Sequence, residues 1–185
     1  MAILKIAKMG HPCLRTQAAT IDQIDDDILS LVENMIETME DAQGTGLAAP
    51  QVHVSLSLLV YFLHHKSCDD VPLTAIANPI ITPLDDVINY DWEGCLSVPG
   101  LNGVVPRYSN IHLSAINIET GNYFEAEYQD YHARVLQHEI DHLQGILYPQ
   151  RMDDLGLLVY SDNLKHGMPE HAKTLIKLGN HQKKQ

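Results

Sequence analysis

Asp130-Tyr131-His132-Ala133-Arg134-Val135-Leu136-Gln137-His138-Glu139-Ile140-Asp141-His142-Leu143-Gln144 is the stretch from which both the fold and the chemistry are read. Val135, Leu136, Ile140 and Leu143 recur at helical spacing and give it an apolar side, and Gly145 suits the position after its last turn. His138 and His142, four residues apart, project from one helical face, close enough to grip one metal ion. Glu139 stands beside the first histidine, where its carboxylate can take a proton from water. Burying two imidazoles and a carboxylate among apolar neighbours is costly unless something satisfies them. An ion would do so, in the core between this helix and the rest of the chain.

Working outward, a second helix starts at Asp25-Asp26-Asp27, whose charges favour a helix N-terminus, and Gly44 is its expected stop. Its apolar residues Ile28, Leu31, Val32, Met35, Ile36 and Met39 form one stripe for core packing. The middle of the chain reads as strands at 54–63, 73–77, 87–90, 111–118 and 123–128, rich in β-branched and apolar residues. Glu119-Thr120-Gly121-Asn122 is a hairpin turn between the last two, and short turns favour antiparallel pairing. A short last helix is expected from Pro169 to Leu178, with residues 179–185 a frayed tail. The expected architecture is α+β: antiparallel sheets packed around the central His-Glu-x-x-His helix, with a helix toward each end. The 185 residues suit a single catalytic domain.

Twelve basic against 24 acidic residues give a net charge of −12, which excludes nucleic-acid binding through a broad basic surface. A local ribosome contact through Lys173, Lys177, Lys183 and Lys184 stays open. No apolar run approaches the roughly 18 residues of a membrane helix, and the lysine-interrupted start is not a secretory signal. Cys13, Cys68 and Cys95 are too few and too irregular for a disulfide framework, so a reduced, cytoplasmic setting is expected. Of the 11 histidines, His64, His65, His112, His166, His171 and His181 show no ligand spacing and read as exposed or hydrogen-bonded.

The helix supplies two ligands, and a catalytic ion needs a third. One protease class adds a histidine six residues after the second, where this chain has Tyr148; another uses a downstream glutamate, here only Glu170. The stronger candidate lies upstream, in Trp92-Glu93-Gly94-Cys95-Leu96-Ser97-Val98-Pro99-Gly100, where turn residues can fix a thiolate on the backbone. Cys13 and Cys68 read as incidental. Three ligands leave one corner of a tetrahedral ion open for chemistry. A closed structural site would need a fourth ligand, for which His132 stays open, and an endopeptidase built on the same helix is a further alternative.

Three motifs together resemble those of the peptide deformylases: Gly44-Thr45-Gly46-Leu47-Ala48-Ala49-Pro50-Gln51, Glu93-Gly94-Cys95-Leu96-Ser97 and Gln137-His138-Glu139-Ile140-Asp141-His142-Leu143-Gln144-Gly145. The resemblance implies a metal-dependent amidase that removes the formyl group, as formate, from the formyl-methionine of nascent polypeptides. It implies Cys95, His138 and His142 around one divalent ion, Fe²⁺ in the cell, while a mixed sulfur and nitrogen set also accepts Zn²⁺, Ni²⁺ or Co²⁺. Glu139 would be general base and acid, and the Gln51 amide and the Leu96 backbone N–H would stabilise the oxyanion. Gly44, Thr45, Gly46, Glu93 and Gly94 would line the peptide, which adds like a strand. Val135 is the first choice for the methionine pocket, with Thr45, Trp92 and Tyr131 beside it. Arg107 would pair with Glu93 and hold the cysteine loop. Arg134 stands where relatives commonly carry an apolar pocket residue. The oligomeric state is not legible here, with a monomer favoured.

Overall fold

A computed structural model describes residues 2–65 and 69–182; Lys66, Cys68, Lys183 and Lys184 lie outside the described residues. Helix α1 (Asp26–Asp41) is followed by strands β1 (Gly46–Ala48), β2 (Leu58–Leu63), β3 (Val71–Pro83), β4 (Ile88–Cys95), β5 (Val98–Tyr108), β6 (Asn110–Asn117) and β7 (Tyr123–Gln129). Helix α2 (Asp130–Leu143), a short β8 (Val159–Tyr160) and helix α3 (Glu170–Gln182) complete the order. The strands form a five-stranded sheet, β1-β2-β3-β6-β7, and a three-stranded sheet, β4-β5-β8. Every pairing between these strands is antiparallel.

The two-residue period of β2 positions the two long helices. Leu59, Tyr61 and Leu63 face one cluster with Ala133, Leu136, Ile140 and Leu143 of α2. Leu58 and Val60 face the opposite cluster, with Ile28, Val32, Met35 and Met39 of α1. β2 is therefore covered on both faces, which explains its unbroken apolar run. The smaller sheet closes the side of α2 that carries the histidines, and α3 packs Leu175 and Ile176 near Tyr90 and Trp92.

Several elements differ from expectation for local reasons. Strand β2 starts at Leu58 rather than 54. Strand β3 runs from Val71 to Pro83 because a register shift between Ala77 and Ile80 interrupts its alternation. Asn78 takes up a left-handed conformation there (φ 49°), and its amide brackets Ile21, accepting from its N–H at 2.9 Å and donating to its carbonyl at 2.8 Å. Strand β5 escaped notice because Pro99, Gly100, Gly103 and Pro106 read as turn residues. They are tolerated because β8 pairs with β5 only at Leu101 and Asn102, leaving the rest of that edge unpaired. α1 ends at Asp41, and the left-handed residue after it is Gln43 (φ 55°), not Gly44. α3 continues to Gln182, past the expected end at Leu178. Among the described residues no helix is long and apolar enough to cross a membrane.

Candidate active site

Cys95 is the last residue of β4, and Leu96-Ser97 alone connect it to β5. The tight hairpin aims the sulfur at α2, where Cys95 Sγ lies 3.3 Å from His142 Nε2. One donor atom each from Cys95, His138 and His142 lies within 4.8 Å of the others, and the two imidazoles stand edge to face with centroids 5.1 Å apart. A tetrahedral ion about 2.3 Å from sulfur and about 2.0–2.1 Å from nitrogen sets S···N about 3.5 Å apart, close to the 3.3 Å between Cys95 Sγ and His142 Nε2. His132 does not join this group: its Nε2 faces the Tyr61 hydroxyl at 3.3 Å and its ring packs on Tyr128.

The orientation of His138 is fixed from behind, while the buried His142 Nδ1 has no hydrogen-bond partner among the described residues. His138 Nδ1 is 2.8 Å from Glu93 Oε2, which leaves Nε2 for the ion. Glu93 in turn accepts from Arg107 Nε (2.9 Å), Arg107 Nη2 (3.0 Å) and Arg134 Nη1 (2.7 Å). Burial alone would raise the Glu93 carboxyl, but Arg107 and His138 outweigh it and hold it well below the usual carboxylate range. Arg107 Nη1 reaches Asp141 Oδ2 at 2.5 Å, and Arg151 Nη2 holds Asp141 Oδ1 at 2.7 Å. A chain of charge therefore runs from His138 through Glu93 and Arg107 to Asp141 on the same helix. The Glu93–Arg107 pair is the one expected from the sequence; the parts played by His138 Nδ1, Asp141, Arg134 and Arg151 are not, because nothing in their spacing marks them as partners.

Gln51 is buried in the 3-10 turn Ala49–Val52. Its Oε1 accepts from Ala48 N–H at 2.8 Å, so its NH₂ must face the site, where it lies 3.6 Å from Cys95 Sγ and 3.2 Å from Ser97 Oγ. Ser97, also missed, donates its backbone N–H to the Cys95 sulfur at 3.3 Å. Leu96 offers its carbonyl to Lys8 Nζ at 2.8 Å. Glu139 is buried, its Oε2 has no hydrogen-bond partner among the described residues, and burial raises its pKa. Gly46 faces this carboxylate so closely that a Cβ there would overlap it.

Part of this constellation borders a cavity of about 630 Å³. Gly44, Thr45, Gly46, Gln51, Glu93, Gly94, Cys95, Leu96, Val135, His138 and Glu139 all line it, as do Trp92 and Tyr131. His142 and Arg107 are not among its lining residues. Glu93, expected to contact the peptide, has both carboxylate oxygens engaged by Arg107, Arg134 and His138. Arg134 also lines the cavity, but its guanidinium is turned onto Glu93, the Val105 carbonyl (2.9 Å) and the Asn89 carbonyl (2.7 Å). Ile6 and Lys8 form part of the wall, a contribution of the N-terminal segment with no sequence signature.

A family description, polypeptide deformylase, matches residues 3–157. The chain belongs to the polypeptide deformylase family. It is 44% identical over 172 residues to peptide deformylase 1 of Bordetella pertussis, covering 90% of this chain and 97% of that protein. It is 41% identical over 170 residues to peptide deformylase 1 of Nitrosomonas europaea, covering 89% and 96%. Among solved structures it is similar to a class I type b peptide deformylase of Acinetobacter baumannii bound to Met-Ala-Ser (TM-score 0.76, 30% identity, 81% of this chain and 98% of that one). It also resembles a Synechococcus elongatus peptide deformylase in complex with actinonin (TM-score 0.77, 30% identity, 91% and 88%). The α+β deformylase fold is thus established, and the chain is a peptide deformylase, an enzyme that removes N-formyl groups from peptides. Membership of the deformylase family implies a divalent metal ion, and the Cys95 thiol with the His138 and His142 imidazoles suits one.

Proposed function

We propose that the chain, as one catalytic unit, hydrolyses the formamide C–N bond of N-formyl-methionyl nascent peptides with a single divalent cation held by Cys95, His138 and His142. The observation that carries this reading is the convergence of those three donors beside the uncommitted Glu139 carboxylate. A cation bound there supplies Lewis acidity and lowers the pKa of water at its open position. The donor set suits Fe²⁺, which we take as the cellular ion, as well as Zn²⁺, Ni²⁺ and Co²⁺.

Glu139 accepts the proton of the attacking water as its oxygen adds to the formyl carbon. The same carboxyl then returns that proton to the amine nitrogen as the C–N bond breaks, releasing formate and a free N-terminus. A buried carboxyl with a raised pKa is suited to holding a proton for that interval. The Gln51 amide and the Leu96 N–H donate to the former carbonyl oxygen as it gains charge, and an uncharged amide does so without titrating. β1 is the edge strand of its sheet, so a peptide backbone can pair along Gly44–Gly46. Val135, with Trp92 and Tyr131, would receive the methionine side chain. The Met-Ala-Ser peptide bound to the Acinetobacter relative supports a peptide with an N-terminal methionine as the ligand class.

The test is formate release from a formyl-Met peptide by enzyme loaded separately with each of the four metals. Turnover with the formylated peptide and none with its acetylated counterpart is expected; no release with any metal overturns the proposal. Glu139→Gln should retain its metal and lose about 10²–10⁴-fold in kcat. Unimpaired turnover in that variant removes Glu139 as the proton carrier.

A further inference from the structure

A second group of metal-ligating side chains lies outside the catalytic constellation. His11, Cys13 and His53 each place a donor atom within 4.8 Å of the others. Cys13 Sγ is 2.9 Å from His11 Nδ1 and 3.8 Å from His53 Nδ1, and the two imidazoles meet edge to face at 4.6 Å. A tetrahedral zinc ion with ordinary bond lengths sets sulfur and nitrogen about 3.5 Å apart, between these two values. Sequence order hides the group: Cys13 has no paired cysteine, and His53 lies forty residues further on.

The backbone holds the donors rigidly. Pro12 fixes the chain between His11 and Cys13 and opens the 3-10 turn Pro12–Arg15, where His11 Nδ1 accepts from Cys13 N–H at 3.3 Å, a bond it would give up on binding an ion. His53 closes the 3-10 turn Ala49–Val52 in a left-handed conformation (φ 66°), uncommon outside glycine, with its N–H bonded to the Pro50 carbonyl at 3.2 Å. The two histidines are exposed and Cys13 is half-buried, so an ion can reach all three. Preorganised donors from two segments lose little entropy on binding.

We propose that His11, Cys13 and His53 form a second, surface site for a borderline-soft divalent cation, Zn²⁺ being the best match to one thiolate and two imidazoles, with water completing the tetrahedron. Binding displaces the thiol proton to solvent, so occupancy weakens as pH falls. The ion would pin two segments that already meet at the catalytic wall. Ala7 N–H bonds the Gln51 carbonyl at 2.7 Å, and Met9 N–H bonds the Ser97 carbonyl at 2.7 Å. Occupancy would therefore stabilise the folded chain by linkage.

The test uses the metal-loaded holoenzyme equilibrated with Zn²⁺ and desalted, with total metal per chain counted by elemental mass spectrometry. Two ions per chain are expected in the wild type and one in Cys13→Ser and in His53→Asn. Serine fills the space of the thiol and asparagine tolerates the left-handed backbone, so both variants should fold; unchanged thermal midpoints without added zinc check this, and His11→Gln substitutes if either fails. Peptide mapping after alkylation gives a second readout, specific to Cys13. Zinc should protect that thiol in the wild type, and the protection should vanish in His53→Asn. One ion per chain in the wild type, or protection of Cys13 that survives His53→Asn, overturns the proposal and leaves a thiol hydrogen-bonded between two imidazoles.

Discussion

Replacing Arg107 by methionine removes the hub of the charge chain behind the catalytic helix. Arg107 is only 5% exposed and makes two hydrogen bonds to Glu93 and one to Asp141. Removing one partner of a buried ion pair costs about 3–5 kcal/mol, because the other charge stays desolvated. Here Glu93 keeps Arg134 and His138, and Asp141 keeps Arg151. The loss should therefore fall at the lower end, about 3 kcal/mol, which lowers the thermal midpoint of a chain this long by about 6–12 °C. Metal retention should weaken about tenfold, since Glu93 loses two of the bonds that aim its carboxylate at His138. Urea unfolding of the holoenzyme at fixed metal concentration measures the first quantity, and competition with a chelator measures the second. Glu93→Gln/Arg107→Met should cost less than the sum of its parent variants by more than about 1 kcal/mol, because no unpaired carboxylate then remains at position 93. A loss below about 1 kcal/mol in Arg107→Met with additive double-variant energies would refute the view that this chain of charge locks the cysteine hairpin to α2.

Two further outcomes follow from individual contacts. In Gly46→Ala the new methyl would meet Glu139 Cδ at 2.7 Å and Cγ at 2.8 Å, forcing the carboxylate aside. A shift of about 1 Å should lower kcat/KM by about 10²-fold with metal content retained, so wild-type kinetics in this variant would contradict the crowding. Burial between Tyr61 and Tyr128 lowers His132 from its ordinary 6.5 to about 4. The unfolded chain then takes up a proton below 6.5 that the folded chain refuses until about 4, so stability falls as pH drops through that window. Water reaches this partly exposed ring, and the loss should be on the order of 1–2 kcal/mol. His132→Gln should flatten the unfolding free energy across that range; curves parallel to wild type would show that the ring does not titrate as described.

Features whose cause lies within a few residues were legible before any contact across the fold was known. The stripe of α1, the alternation of β6 and β7 around their turn, and the His138-Glu139-His142 face of α2 all follow from periodicities of 3.6 and 2. The likeness of three motifs to the deformylases carried the chemistry further than spacing could, because no spacing rule joins Cys95 to a histidine 43 residues later. Which side chains stand behind the site depends instead on how the sheets and helices meet. Arg134, which stands where relatives commonly carry an apolar pocket residue, is drawn onto Glu93 and two carbonyls because a buried guanidinium must find acceptors. Strand β5, masked by its prolines and glycines, became legible once its largely unpaired edge was seen. Asp141, Arg151, Ser97 and Lys8 likewise acquire their roles from contacts across the fold. Periodicity fixes which face a residue is on, but long-range pairing of buried charge depends on how those faces meet, and that information is three-dimensional.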